Sequence, residues 1–214
     1  IELLSPRARH LAQLAAVAGS AYSVPLAAAA LACAPLELGE PLRELEQRQV
    51  FYGRQFVHDV IASVTERSVP QAVAEFMHRF VAEHLVQHGG DAAHIGGHWL
   101  ACGEWRLAGH AFHQAARSAG AAALANEQAA LLDRAIAAFE RSPADHDALF
   151  TALEERASVF ESTDHEGLRP GFIQRLKSLA RTEAQQLSVL NHHNGWLANL
   201  AQPIEEAAIE QGIP

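Results

Sequence analysis

Basic residues are scarce in this chain of 214 residues, where 16 lysines and arginines face 25 aspartates and glutamates for a formal net charge of −9. No block of lysines or arginines occurs. Such blocks neutralise phosphates and supply most of the affinity for nucleic acid, so no direct nucleic-acid interface is expected. Aromatic residues make up only 7%, and runs of alternating β-branched residues are nearly missing, which argues against a sheet protein. The two cysteines, Cys33 and Cys102, lie far apart and in no metal-ligand spacing. Isolated thiols of this kind fit reduced, packed residues of a cytoplasmic protein. No signal peptide is evident, and the apolar stretch from Val24 to Cys33 is too short to cross a bilayer and is punctuated by Pro25 and Pro35. Three catalytic signatures are also missing. There is no phosphate loop of the form Gly-x-x-x-x-Gly-Lys-Ser/Thr, no Gly-x-Ser-x-Gly elbow and no His-Glu-x-x-His pair. The chain is therefore expected to carry no enzyme active site of its own. It opens on Ile1 and contains a single methionine, Met77, which points to a segment of a longer polypeptide.

What is present favours helix. Hydrophobic residues reach 49%, enough for a core, and many are alanines, which form helix readily and let helices approach closely. Ser5-Pro6 reads as a helix start, with Leu11, Leu14, Ala15 and Val17 at helical spacing until Gly19. Ser23-Val24-Pro25 opens a second short helix ending before Pro35, and a third runs from about Leu38 to Gln47. The segment Gln49 to Val57 reads as two short β-prone pieces around Gly53-Arg54, a hairpin. Three short helices followed by a hairpin outline a winged-helix unit, assigned to residues 1–67.

From Ser68 the pattern becomes long helices and short turns, assigned to a helical arm over residues 68–214. A helix to about His88 carries Val73, Phe76, Met77, Phe80, Val81 and Leu85 as its apolar stripe. Gly89-Gly90 ends it and Asp91 caps the next. Gly103 precedes a helix to about Ala119, another spans about Leu124 to Arg141, and Ser142-Pro143 starts one more. Paired helices of this kind match the tetratricopeptide period in part. Phe112, Leu132 and Ala135 fall where large, large and small residues belong, while Ala116 stands where the repeat prefers glycine. Beyond Asp164, Gly167, Pro170 and Gly171 interrupt the regularity. Asn191 to Gly195 marks a turn or helix end, and Trp196, Leu197, Leu200 and Ile204 resume an apolar face to Ile209. The expected fold class is mainly α: a small winged-helix-like unit followed by a tetratricopeptide-like α-solenoid.

Leu4-Ser5-Pro6-Arg7-Ala8-Arg9, leading into Leu14 to Gly19, together with Phe56-Val57-His58-Asp59-Val60-Ile61, resembles the winged-helix domain of signal-transduction ATPases with numerous domains. That domain follows the nucleotide-binding core, and in bacterial members a helical repeat arm comes next. Gly97 to Gly103, with Ala115-Ala116 after it, resembles the first repeat of such an arm. The similarity runs from about Leu4 to Phe139. It implies a bacterial transcriptional regulator that switches between ADP-bound and ATP-bound forms. It also implies an upstream nucleotide-binding domain and an arm that takes a protein or small-molecule effector. His58 and Asp59 match the histidine and aspartate of the family pattern, and the histidine there touches the β-phosphate of bound ADP. Val57 stands where the Met-His-Asp version of the motif, known from plant immune receptors, has methionine. ATP and ADP are thus implied for a parent protein, and no cofactor for this segment.

Two other readings stay open. An autonomous winged-helix DNA-binding regulator would need a basic recognition helix, yet the third helix carries Glu37, Glu40, Arg43, Glu44 and Glu46. A histidine metal site could use His94 with His98, or His84 with His88, each pair at i, i+4. Most such pairs are simply solvated or hydrogen-bonded. Glu154-Glu155 and Glu205-Glu206 read as solvated helix faces, and Trp99 and Trp105 as packing around a helix turn.

Overall fold

The computed structural model describes residues 3–142, 145–159 and 169–194. The chain is mainly α-helical, and a two-stranded antiparallel hairpin is the only sheet among those residues. It divides into two compact units, residues 1–108 and 109–214.

In the first unit, α1 (Pro6–Ala18) begins where Ser5 Oγ accepts from the Ala8 amide, and it stops at Gly19, whose φ of 56° an L residue adopts only with strain. A single 3-10 turn leads to α2 (Val24–Ala30), capped by Ser23. A second 3-10 turn, Pro35–Leu38, leads to α3 (Gly39–Gln47). Strands β1 (Phe51–Tyr52) and β2 (Gln55–Phe56) pair Phe51 with Phe56 and Tyr52 with Gln55. The two-residue loop places Gly53 at φ 63°, as a tight hairpin needs at its first central position. Next come α4 (Asp59–Arg67), α5 (Gln71–Gln87) and α6 (Ala92–Ala101). Leu11, Leu14, Leu26, Leu45, Phe51 and Val81 form the core. Phe51 makes edge-on contacts with Phe56 and Tyr22, at centroid distances of 4.8 and 6.1 Å.

Only the second half of α5 joins that core, through Phe80, Val81 and Leu85. Val81 and Ala82 are buried, whereas Val73 and Phe76 are 43% and 68% exposed. Two residues of the apolar stripe read along α5, Val73 and Phe76, therefore lie at the surface. Because α5 packs on α1 and α2, and α6 on α5, both helices belong to the first compact unit. The compact division thus falls well beyond Arg67, where the change in sequence texture places it.

Helix α7 (Trp105–Ala121) contains the division, at Ala108 and Gly109. The second unit holds the rest of α7 with α8 (Ala125–Glu140), α9 (His146–Val159), α10 (Arg169–Leu179) and α11 (183–194). Its core is built on Phe112, Ala116, Leu132, Ala135, Phe139 and Leu153. Gly109 lets α7 approach α8 closely, since a Cβ there would meet the Phe139 ring at 2.6 Å. Pro170 and Gly171 do not interrupt the chain. They sit in the first turn of α10, where proline costs no hydrogen bond. Pro143 and the apolar face from Trp196 to Ile209 lie outside the described residues, as do Glu205 and Glu206.

Candidate functional site

His58 sits where the hairpin hands over to α4. The Val57 amide donates to the Val50 carbonyl at 3.0 Å, closing the strand pair one residue before it. His58 itself is extended, at φ −142° and ψ 140°, and its carbonyl accepts from the Ile61 and Ala62 amides at 3.0 and 3.3 Å. Its backbone therefore starts the helix. The exposed imidazole makes no bond to the helix end. Asp59 follows in the first turn, where a carboxylate complements the positive end of the helix dipole.

Asp59 also lines a cleft with Gly19, Ser20, Tyr22, Arg54 and Phe56. The Tyr22 hydroxyl is buried there without a hydrogen-bond partner. Burial pushes the phenol up to about 12, against the pull of the Arg54 guanidinium. The cleft therefore combines a cation from the hairpin turn, a carboxylate from the start of α4 and an unsatisfied hydroxyl from the segment after α1.

The histidine pairs read from sequence are engaged in separate contacts. His84 and His88 stack with ring centroids 4.0 Å apart, and His88 Nδ1 lies 2.7 Å from the His84 carbonyl oxygen, where a protonated Nδ1 donates to it. His94 turns to Ser20 Oγ at 3.1 Å and to Asp91 at 3.3 Å. His98, by contrast, is buried and pairs with His78 of α5, Nδ1 to Nδ1 at 2.9 Å. Among the described residues no group of three or more His, Cys, Asp or Glu could hold a metal ion. Nor is any helix among them long and apolar enough to cross a membrane.

The His78–His98 contact was not read from the sequence, although its signal was present. The two residues stand on either side of the Gly89-Gly90 turn, and folding α6 back on α5 brings them together. A similar cross-helix contact corrects the reading of Glu155 as a solvated residue. It lies 2.9 Å from His113 Nε2 and is only part exposed. Glu154 is likewise engaged, by Ser188.

Comparison with known proteins finds no matching family model, curated protein or solved structure.

Proposed function

We propose that this chain is a non-catalytic regulatory segment of a signal-transduction ATPase, with 1–67 as a winged-helix-like lever and the later helices as an effector-binding, tetratricopeptide-like arm. The observation that carries this reading is the hairpin-to-α4 junction. It presents the His58 imidazole to solvent at a helix N-terminus, with its backbone committed to the cap and its ring left to reach outward. A helix N-terminus attracts phosphate, and an imidazole beside it can donate a hydrogen bond to a phosphate oxygen. The role assigned to His58 is to contact the nucleotide held by an upstream domain of a cytoplasmic parent protein. Asp59 favours the start of α4 by complementing the positive end of its dipole. One histidine cannot replace a phosphate loop, so this segment neither hydrolyses ATP nor binds it tightly by itself.

In the intact protein, His58→Ala is expected to speed ADP release and raise basal activity. An unchanged ADP off-rate in that variant removes the assigned role. A reading frame with no phosphate loop upstream of Ile1 removes the ATPase reading altogether.

A further inference from the structure

The α5–α6 hairpin holds two histidines face to face in its packed seam. His78 Nδ1 and His98 Nδ1 are 2.9 Å apart, with ring centroids separated by 5.2 Å and ring planes tilted by 41°. His98 is 9% exposed and lies among buried Ile95 and Trp99 of α6. A contact of this kind requires one ring to donate and the other to accept, so there is room for one proton between the facing nitrogens. Charging both rings would set N–H against N–H and place two cations across the same short gap. The seam tolerates the neutral pair and expels the doubly charged one.

We propose that the His78–His98 contact is a proton-sensitive latch that holds α6 on α5 near neutral pH and lets go in mild acid, making a fall in pH a signal this chain reads. The inference concerns the signal and stands independently of the nucleotide role of His58.

The surroundings support that direction. Burial, then the neighbouring His78 and His94, push His98 down to about 4. Burial also lowers His78, with Glu66 of α4 pulling the other way. Other charges on the packed elements are mostly held by partners elsewhere, and Glu83 of α5 is exposed. Arg79 of α5 pairs with Glu104 at 2.5 Å, and Glu75 accepts from Gln71 at 2.9 Å. The segment of α2 has no titratable side chain. On α1, Arg7 lies 3.8 Å from Glu37, Arg9 donates to the Leu4 carbonyl, and His10 lines a separate cleft with Cys33. The sign follows from linkage. The open hairpin takes up protons at the ordinary histidine value, and the closed one only at lower pH. The closed form therefore keeps its full advantage above about 6.5 and loses it as pH falls toward about 4.

The test uses the full chain and the double variant His78→Gln/His98→Gln, whose facing amides can hydrogen-bond without titrating. Between pH 7.5 and 5.0 the wild-type melting midpoint is expected to fall by roughly 3–6 °C more than that of the variant. Amide exchange in α6 is expected to accelerate several-fold in the wild type alone. Equal losses in the two proteins would overturn the latch. If the variant does not fold, histidine-resolved NMR titration of the wild type decides. His98 staying neutral through about pH 5.5 and then charging as α6 loses protection supports the proposal. His98 titrating at its ordinary value with α6 protection unchanged defeats it.

Discussion

Ala116 is fully buried on α7, in a seam where alanine lets helices come close. Ala116→Leu inserts three carbons with nowhere to go and is expected to cost about 1–3 kcal/mol. The matched control is Ala137→Leu on α8, the same chemical change at an exposed position. It should stay within roughly 0.5 kcal/mol, because leucine and alanine are both good helix formers. Denaturant unfolding of the two variants checks this, and equal midpoints would mean that the packing face of α7 is misassigned. Glu155, read from sequence as a solvated residue, could not serve as a control because it accepts from His113. The buried Thr65 illustrates the same residue-level lesson. Its hydroxyl donates to the Ile61 carbonyl at 2.7 Å, so a polar side chain sits in the interior with its bonding need met inside its own helix.

Two helical glycines separate propensity from packing at the level of elements. Gly109→Ala gains up to about 1 kcal/mol of helix propensity. However, the new Cβ would lie 2.6 Å from the Phe139 ring, which is 1% exposed and has no room to withdraw. Overpacking should win, leaving a net loss of about 1–2 kcal/mol. Gly120→Ala meets Gln128 at 2.7 Å instead, and what it meets is the end of a flexible, part-exposed side chain. That amide can swing aside, so the variant is expected to be neutral or more stable by up to about 1 kcal/mol. Thermal melts of both variants test the pair, and Gly109→Ala melting above Gly120→Ala would reverse the argument. Most element boundaries were legible for local reasons. Ser5, Ser23 and Asp91 cap helices with their own side chains. Gly19, Gly53, Gly89 and Gly103 all adopt positive φ where helices or strands end. The start of α10 was not legible, because Pro170-Gly171 reads as an interruption in sequence and as a first turn once helix forms around it.

At the scale of the molecule, charge decides what the chain should avoid. The net charge of −9 is matched locally on α3. There Glu40 pairs with Arg43 at 2.6 Å, and Glu44 accepts from both the amide and the hydroxyl of Ser5. Those bonds hold the Glu44 carboxyl below its ordinary range, so it remains anionic at neutral pH. A helix of this character repels phosphate. The full chain is therefore expected not to retard duplex DNA in a mobility-shift assay even at about 50 mM salt, where non-specific binding is strong. A salt-sensitive shift would restore the autonomous DNA-binding alternative.

The sequence by itself determined the helical class, the position of the hairpin and most helix ends outside α4, α10 and α11, because these depend on caps, glycines and spacing within a few residues. His58 and Asp59 were singled out by a family resemblance and not by local pattern, and they stand at the start of α4. Only the tertiary structure decided which faces are buried, leaving Phe76 outside and Val81 within. It alone drew α5 and α6 into the first compact unit, and it alone brought His98 to His78 and Glu155 to His113. Those outcomes depend on which helix meets which, a choice made by the summed burial of many side chains and not by any local pattern.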